Sequence, residues 1–119
     1  MITASELRIG NYVYSDKENA PTPIKINRKI MQYLCKNNDF HLLEPIPLTE
    51  EILLKCGFKR LRYDMGAFAY LKDGMFDIVF YGDAIPFIEI NEIRKDLKHL
   101  HKLQNLYFEL TNEELKIEL

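Results

Sequence analysis

The residues best suited to chemistry in this chain are two histidines, because His99 and His101 have the His-x-His spacing of a metal-binding pair. On an α-helix their side chains would point about 200° apart, which prevents them from binding one ion together. The chain also lacks a Gly-rich phosphate loop, a Cys-x-x-Cys pair, a His-Glu-x-x-His segment and a Gly-x-Ser-x-Gly segment. The sequence therefore predicts a non-enzymatic protein with no catalytic residue, no metal ligand and no cofactor.

Basic and aromatic residues alternate in a way that suits nucleic acid. Residues 24–36 and residues 55–63 each carry four cations and no acid. Cations bind phosphates, and exposed rings stack on the bases of single strands. The candidate nucleic-acid-binding residues are Lys25, Arg28, Lys29, Tyr33, Lys36, Arg60 and Arg62. The opposing interpretation is that their aliphatic stems cover a sheet edge while their charges stay solvated, and the net charge of -2 favours it.

The C-terminal segment predicts an amphipathic helix that begins at Leu97, with Asp96 as its N-cap and Asn112 in the left-handed conformation after its end. At 100° per residue one wide arc collects Leu97, Leu100, Leu103, Leu106, Tyr107, Phe108 and Leu110. The opposite face collects Lys98, Lys102, Asn105 and Glu109, a polar ridge that is the candidate protein-contact surface. Gln104 lies inside the apolar arc and needs a hydrogen-bond partner if it is buried.

The elements before this helix are mostly strands. A turn at Gly10 precedes the first, and Thr49 with Glu50 and Glu51 predicts the start of a short central helix that Gly57 ends. The strands are predicted at residues 12–14, 24–30, 33–35, 40–43, 59–63, 67–72, 75–81 and 85–90. Pro86 has no N–H to donate, which predicts that the last strand lies at a sheet edge.

Strands followed by a long helix predict the α+β class: an antiparallel meander with one short central helix and one long C-terminal helix packed on the sheet. Closure of the meander into a partial barrel is left open. At 119 residues and 47% hydrophobic content, the chain predicts a single domain over residues 1–119. Cys35 and Cys56 are expected to be reduced core thiols. With neither a signal peptide nor a long apolar stretch, the predicted location is cytoplasmic, away from membranes.

Three segments along the chain form a recognisable set. They are Glu6-Leu7-Arg8-Ile9-Gly10-Asn11-Tyr12-Val13, then Pro45-Ile46-Pro47-Leu48-Thr49-Glu50-Glu51 with Leu54, Gly57 and Phe58, and finally His101-x-Leu103-Gln104-Asn105-Leu106-Tyr107-Phe108-x-Leu110-Thr111-x-x-Glu114-Leu115. Together they resemble a family of small uncharacterised proteins encoded by bacteria of the Bacteroides type and by their phages and mobile elements. The resemblance implies no activity, catalytic residue or cofactor, because none is established for that family.

Two functions follow as hypotheses. The first is an accessory or binding domain of a phage or mobile element that acts through protein contacts, with a partner or with a second copy of the chain. The alternative is a nucleic-acid-binding protein that uses the basic and aromatic residues of one sheet face. The second hypothesis requires those residues to lie together on one exposed surface.

Overall fold

The computed structural model describes residues 2–15, 22–62, 68–71, 77–80, 85–90 and 93–119. The chain folds as two units: unit 1 comprises Met1–Pro47 and His99–Leu115, and unit 2 comprises Leu48–Lys98 and Lys116–Leu119. Antiparallel sheets and helices, including a C-terminal helix, give the predicted α+β class. The prediction of one domain over residues 1–119 stays a prediction.

Unit 1 combines a small sheet with two helices. Its elements are β1 (Tyr12–Ser15), β2 (Thr22–Lys25), α1 (Arg28–Asn37), β3 (Leu43–Glu44) and α3 (Leu100–Thr111), with one-turn 3-10 helices at Ala4–Glu6 and Phe40–Leu42. The sheet is antiparallel in the order β2-β1-β3. Pro23 of β2 lies opposite Tyr14, and a proline is tolerated there because β2 is an edge strand. Residues 16–21, between β1 and β2, lie outside the described residues.

Helix α1 replaces the end of the strand predicted at residues 24–30 and all of the strand predicted at 33–35, and this part of the prediction is wrong. Ile24 does lie in β2, but the strand ends at Lys25 and the chain turns into a helix soon afterwards. The side chain of Asn27 caps it by accepting the N–H of Ile30 at 2.8 Å, and Asn38 ends it with a φ of 55°. Apolar residues at positions 30, 31 and 34 fit the helical period, and they pack on the unit 1 core.

The core of unit 1 is apolar and draws on every part of the unit's N-terminal half. One cluster contains Ile2, Leu7, Val13, Ile26, Leu34, Phe40 and Leu43, with Ile24, Ile30 and Met31 packed against it. The strand predicted over residues 40–43 is wrong for its first three residues, which form a 3-10 helix, and only Leu43 enters β3. Burial of side chains such as these supplies most of the stabilisation of so small a unit.

Unit 2 contains the predicted central helix and the meander. Helix α2 (Glu50–Lys55) is capped by Thr49, whose Oγ1 accepts the N–H of Ile52 at 3.2 Å, and Gly57 follows it with a φ of 88°. The strands are β4 (Lys59–Arg62), β5 (Phe68–Leu71), β6 (Asp77–Phe80), β7 (Phe87–Ile90) and β8 (Ile93–Asp96), antiparallel and paired in sequence order. The predicted meander is confirmed; the residues predicted to form its turns, 64–66, 73–74 and 82–83, lie outside the described residues.

Strand β8 was not predicted, and it corrects two expectations. Asp96 belongs to β8 and pairs with Phe87, so it is no N-cap, and α3 begins at Leu100 rather than at Leu97. The N–H of Leu97 bonds instead to the carbonyl of Pro86 at 2.8 Å. Because β7 lies between β6 and β8, the edge position inferred from Pro86 is also wrong; this proline precedes the first residue of its strand.

Two further expectations meet the structure. Cys56 is buried as predicted, but Cys35 is exposed on α1, so it is not a core thiol. The described strands form one three-stranded and one five-stranded sheet, and neither is a closed barrel. Within the described ranges, no helix is both long enough and apolar enough to cross a membrane.

Candidate functional site

The outer surface of α1 gathers most of the basic and aromatic residues that the sequence singled out. We call it the α1 face; it consists of Arg28, Lys29, Gln32, Tyr33 and Lys36, all of them exposed. At 100° per residue the five side chains share an arc of about 140°, opposite the apolar residues 30, 31 and 34. The helical conformation thus separates the charged side chains from the core more completely than a strand would.

The cations of the α1 face have no counter-ion in the described part of the chain. Helix α1 contains no acidic residue, and none of Arg28, Lys29 and Lys36 forms an ion pair within those residues. Arg28 and Lys29 also occupy the first helical turn, where the partial positive charge of the helix N-terminus disfavours cations. The stability of the helix does not explain why these two positions are basic.

Tyr33 lies between the lysines of the α1 face. Its side chain is 58% exposed, whereas Leu34 beside it is buried. The ring stacks on no other described ring or cation, although its backbone carbonyl accepts a hydrogen bond from Asn37 Nδ2 at 2.9 Å. Lys29 is one turn before Tyr33 and Lys36 one turn after it, so cations flank the ring along the helix axis.

The other three predicted nucleic-acid-binding residues lie elsewhere. Lys25 is on β2 of unit 1, with its Nζ 5.9 Å from the centre of the Tyr12 ring. Arg60 and Arg62 are on β4 of unit 2, where they pair with Tyr70 and Phe68 in the neighbouring strand. The structure therefore brings four of the seven predicted residues together on one helix: Arg28, Lys29, Tyr33 and Lys36. Within unit 1 the predicted basic face of a sheet does not form, because Lys25 is the one candidate on a strand there.

The predicted polar ridge is divided by the actual start of α3. Lys98 precedes the helix, and Asn105 is half-buried with three side-chain hydrogen bonds. Lys102 is exposed, but its Nζ lies 3.2 Å from Oε2 of Glu6. Glu109 is exposed on the helix. Lys98, Lys102, Asn105 and Glu109 therefore do not form the continuous helix ridge that the sequence predicted.

Asn105 and its neighbour Gln104 instead hold the N-terminal segment against α3. We call the side chains of Arg8, Asn11, Gln104, Asn105 and Glu114 the polar clamp. Gln104 is 1% exposed; its Nε2 donates to the carbonyl of Gly10 at 2.9 Å, and its Oε1 accepts the N–H of Tyr12 at 2.8 Å. The prediction that a buried Gln104 needs partners is confirmed, and both partners are backbone groups, one in the turn before β1 and one at the first residue of β1.

The rest of the polar clamp extends the same contact. Oδ1 of Asn105 accepts from Arg8 Nε at 3.1 Å and from Asn11 Nδ2 at 2.9 Å. The Arg8 guanidinium also forms a two-armed ion pair with Glu114 and lies 4.5 Å from the centre of the Phe108 ring. Two of the three segments behind the family resemblance are therefore the two halves of one hydrogen-bonded structure.

His101 is the other buried polar residue of α3. Its side chain is fully buried, its Nε2 lies 3.4 Å from Oε1 of Glu6, and neither ring nitrogen has a hydrogen bond in the described part of the chain. Burial lowers the pKa of the imidazole below its usual value, although the Glu6 carboxylate opposes this. Burial raises the pKa of the Glu6 carboxyl, but Lys102 and His101 together lower it by more, so the net change in the pKa is downward.

The two histidines of the His-x-His segment are closer than the sequence predicted. His99 is the N-cap residue and not part of the helix, so its ring stacks on that of His101 at 5.8 Å between centroids and 11° between planes. The predicted divergence of about 200° is therefore wrong, because it assumed that both residues were helical. No group of three or more His, Cys, Asp or Glu residues suited to a metal occurs among the described residues.

Comparison of the chain with models of known protein families, with curated proteins and with solved structures finds no match. The site must therefore be interpreted from its own geometry. Sequence reasoning missed Arg8, Asn11 and Glu114, although all three stand in the segments that carry the family resemblance. No local pattern marks these three residues, because their side-chain partners lie 94 to 106 residues away in the chain.

Proposed function

We propose that this protein binds nucleic acid through the α1 face. The observation that supports this function is the collection of three cations and an exposed tyrosine on one acid-free helix surface. Such a surface attracts a polyanion, and counter-ions released from phosphates supply the binding free energy. Protein contact ranks first on the sequence alone, but its candidate surface, the polar ridge, gives it no support because Lys98 precedes α3 and Asn105 is hydrogen-bonded within unit 1.

The sequence around α1 is basic even though the chain as a whole is acidic. Residues 22–36 contain four cations and no acid, although the chain as a whole carries a net charge of -2. At physiological ionic strength charges are screened over about 8 Å, so a phosphate at α1 interacts mainly with the nearby cations. Overall acidity therefore weakens long-range attraction more than it weakens the contact itself.

Fluorescence anisotropy at low salt tests the proposal. The labelled probes are a single strand and a duplex longer than about 16 nucleotides, the upper end of known site sizes for one single-strand-binding module. We expect binding that weakens with salt, and we expect the triple variant Arg28→Gln/Lys29→Gln/Lys36→Gln to lower the slope of log K against log salt by about 2 to 3.

The matched control is Lys95→Gln/Lys98→Gln/Lys116→Gln. It removes the same charge from three exposed lysines of unit 2 that form no ion pair within the described residues. We expect it to retain most of the affinity and salt slope. Absence of binding to either probe at low salt, or equal losses in both triple variants, would overturn the proposal.

A second candidate function, contact with a second copy of the chain, rests on β8. This strand is the last in the five-stranded sheet, all four of its residues are exposed, and Ile93 is 70% exposed. An edge strand offers backbone N–H and C=O groups to another strand, although Arg94 and Lys95 discourage such pairing.

Sedimentation equilibrium over a range of concentrations tests the second candidate. We expect a mass above that of one chain at high concentration, and we expect Ile93→Asp to restore the mass of a single chain. Leu54→Asp, at a similarly exposed position of α2, is the control. A constant mass of one chain at every concentration excludes this candidate.

A further inference from the structure

We infer that the α1 face takes a single-stranded nucleic acid, with a base stacked on Tyr33 and the adjoining phosphates held by Lys29 and Lys36. This inference rests on the proposed function and names its substrate class. The juxtaposition that carries it is an exposed ring set between two cations on one helix. Each of these side chains is free of described ion pairs and ring contacts, so each is available to a ligand.

The order of side chains along α1 matches the order of groups along a nucleic-acid strand. Lys29 lies about 6 Å before Tyr33 along the helix axis and Lys36 about 4.5 Å after it, from a rise of 1.5 Å per residue. A strand likewise presents a phosphate on either side of each base. The long lysine side chains adjust their reach to phosphates, whereas the ring offers one flat surface to one base.

Tyr33 favours a single strand over a duplex. Inside a duplex both faces of each base are already stacked, so a ring could reach an internal π-face only by separating a base step, which costs a few kcal/mol. Without stacking, Tyr33 would add little to duplex binding. Arg28 and Gln32 are of types that read base edges in the major groove, so duplex binding is the main competing outcome.

An acidic protein segment is the other polyanion that could approach these cations. Carboxylates would pair with Lys29 and Lys36, but they have no flat aromatic surface to place on Tyr33. The contribution of the ring therefore separates the two kinds of ligand. Loss of affinity on removal of the ring identifies a base, and indifference to its removal identifies a ligand held by charge alone.

The experiment compares Tyr33→Leu and Tyr33→Phe in the full chain. Probes are poly-dT and poly-U single strands, a DNA duplex and a poly-glutamate peptide. We expect Tyr33→Leu to weaken single-strand binding about 5- to 150-fold, since stacking of one base contributes ~1–3 kcal/mol. Tyr33→Phe keeps the ring and should stay within a few-fold of the unchanged protein, and duplex affinity should change little with either variant.

A spectroscopic variant gives a second measurement. The chain contains no tryptophan, so Tyr33→Trp introduces a single tryptophan on the α1 face. We expect its emission to be quenched on addition of poly-dT or poly-U and to change little with the poly-glutamate peptide. Because Tyr33 is exposed, none of these variants is expected to disturb the fold.

The outcomes separate the inference from the proposed function. If single-strand affinity does not depend on the ring, or if the duplex binds more tightly than the single strand, the inference is overturned. Nucleic-acid binding that still depends on Arg28, Lys29 and Lys36 would leave the proposed function standing. Binding of poly-glutamate alone, or of no probe, overturns both.

Discussion

The polar clamp and the α1 face are both made of polar side chains projecting from a helix, but they differ in what those side chains bind. In the clamp, Gln104 and Asn105 are each bonded to several groups of the N-terminal segment. On the α1 face, Lys29, Tyr33 and Lys36 are exposed and have no described side-chain partner. Polar residues that satisfy the protein's own backbone are structural, whereas those left unpaired are available to a ligand.

This difference also changes which of the two helices is the better candidate for contact with a ligand. The C-terminal helix carries the most recognisable sequence, yet its distinctive amides are used up inside unit 1. Helix α1 has no recognisable motif, and its polar residues are open to solvent. The most recognisable stretch of a sequence can thus be the part of the molecule least free to contact anything else.

The largest effect is expected from breaking the clamp at its most buried point. Gln104→Leu preserves the volume of the side chain but leaves the N–H of Tyr12 and the carbonyl of Gly10 without their partners. Two unsatisfied backbone groups should lower the free energy of unfolding by about 2–4 kcal/mol. Urea denaturation followed by circular dichroism measures the change.

The matched control for this prediction is Gln32→Leu on the α1 face. Gln32 is exposed, so the same substitution should change the free energy of unfolding by no more than about 0.5 kcal/mol. If Gln104→Leu were as stable as Gln32→Leu, the clamp would not hold the N-terminal segment in place. The polar clamp would then contribute no more to stability than the α1 face does, and the two surfaces would not differ as proposed.

The parts of the fold that the sequence predicted are those set by neighbouring residues. Thr49 and Gly57 delimit α2 through local capping, and the central strands follow their own composition. Helix α1 was missed because the alternation of Ile24 and Ile26 looked like a strand that continued. The amide of Asn27, three residues before Ile30, was the local signal that marked a helix start instead.

The clamp could not be predicted for a different reason. Arg8 and Asn105 are 97 residues apart in the chain, and no periodicity within either segment indicates that they meet. Four of the five residues of the α1 face, all except Gln32, were identified from composition, but their common surface depends on a helix rather than on the predicted sheet. Types of residue were therefore predictable, and their arrangement required the fold.

A second way to test the clamp region uses pH. The pKa of the buried His101 is lowered in the folded state, so the unfolded chain binds the proton more readily. At a pH well above about 6.5, the pKa of His101 in the unfolded chain, His101 should have no effect on stability. As the pH drops below that pKa, the free energy of unfolding should fall. One proton contributes at most about 1.4 kcal/mol per pH unit.

Urea denaturation at about pH 7.5 and about pH 5.5, on either side of the unfolded value, measures this dependence. His101→Leu should remove much of the decline, whereas His41→Leu, at an exposed position, should retain it. Glu6 acts in a separate window: its pKa is lowered on folding, so its contribution is lost only as the pH falls from 4.5 downward. If stability declined with falling pH just as much in His101→Leu, the pH dependence would not come from His101.

The smallest expected effect on stability concerns the α1 face, where one substitution should stabilise the protein instead of destabilising it. Lys29 stands in the first turn of α1, where the helix N-terminus disfavours a cation, and Lys36 stands in the last turn, where the C-terminus favours one. Lys29→Glu should therefore raise the free energy of unfolding by about 0.3–1 kcal/mol, whereas Lys36→Glu should lower it by a similar amount.

Both substitutions remove a cation from the surface proposed to hold phosphates, so both should weaken nucleic-acid binding at low salt. Opposite effects on stability with a shared loss of binding would mean that the charge at Lys29 serves a ligand at the expense of the fold. If Lys29→Glu instead destabilised the protein, its charge would have a structural partner, and the α1 face would resemble the clamp. Thermal denaturation and fluorescence anisotropy on the same preparations provide the two measurements.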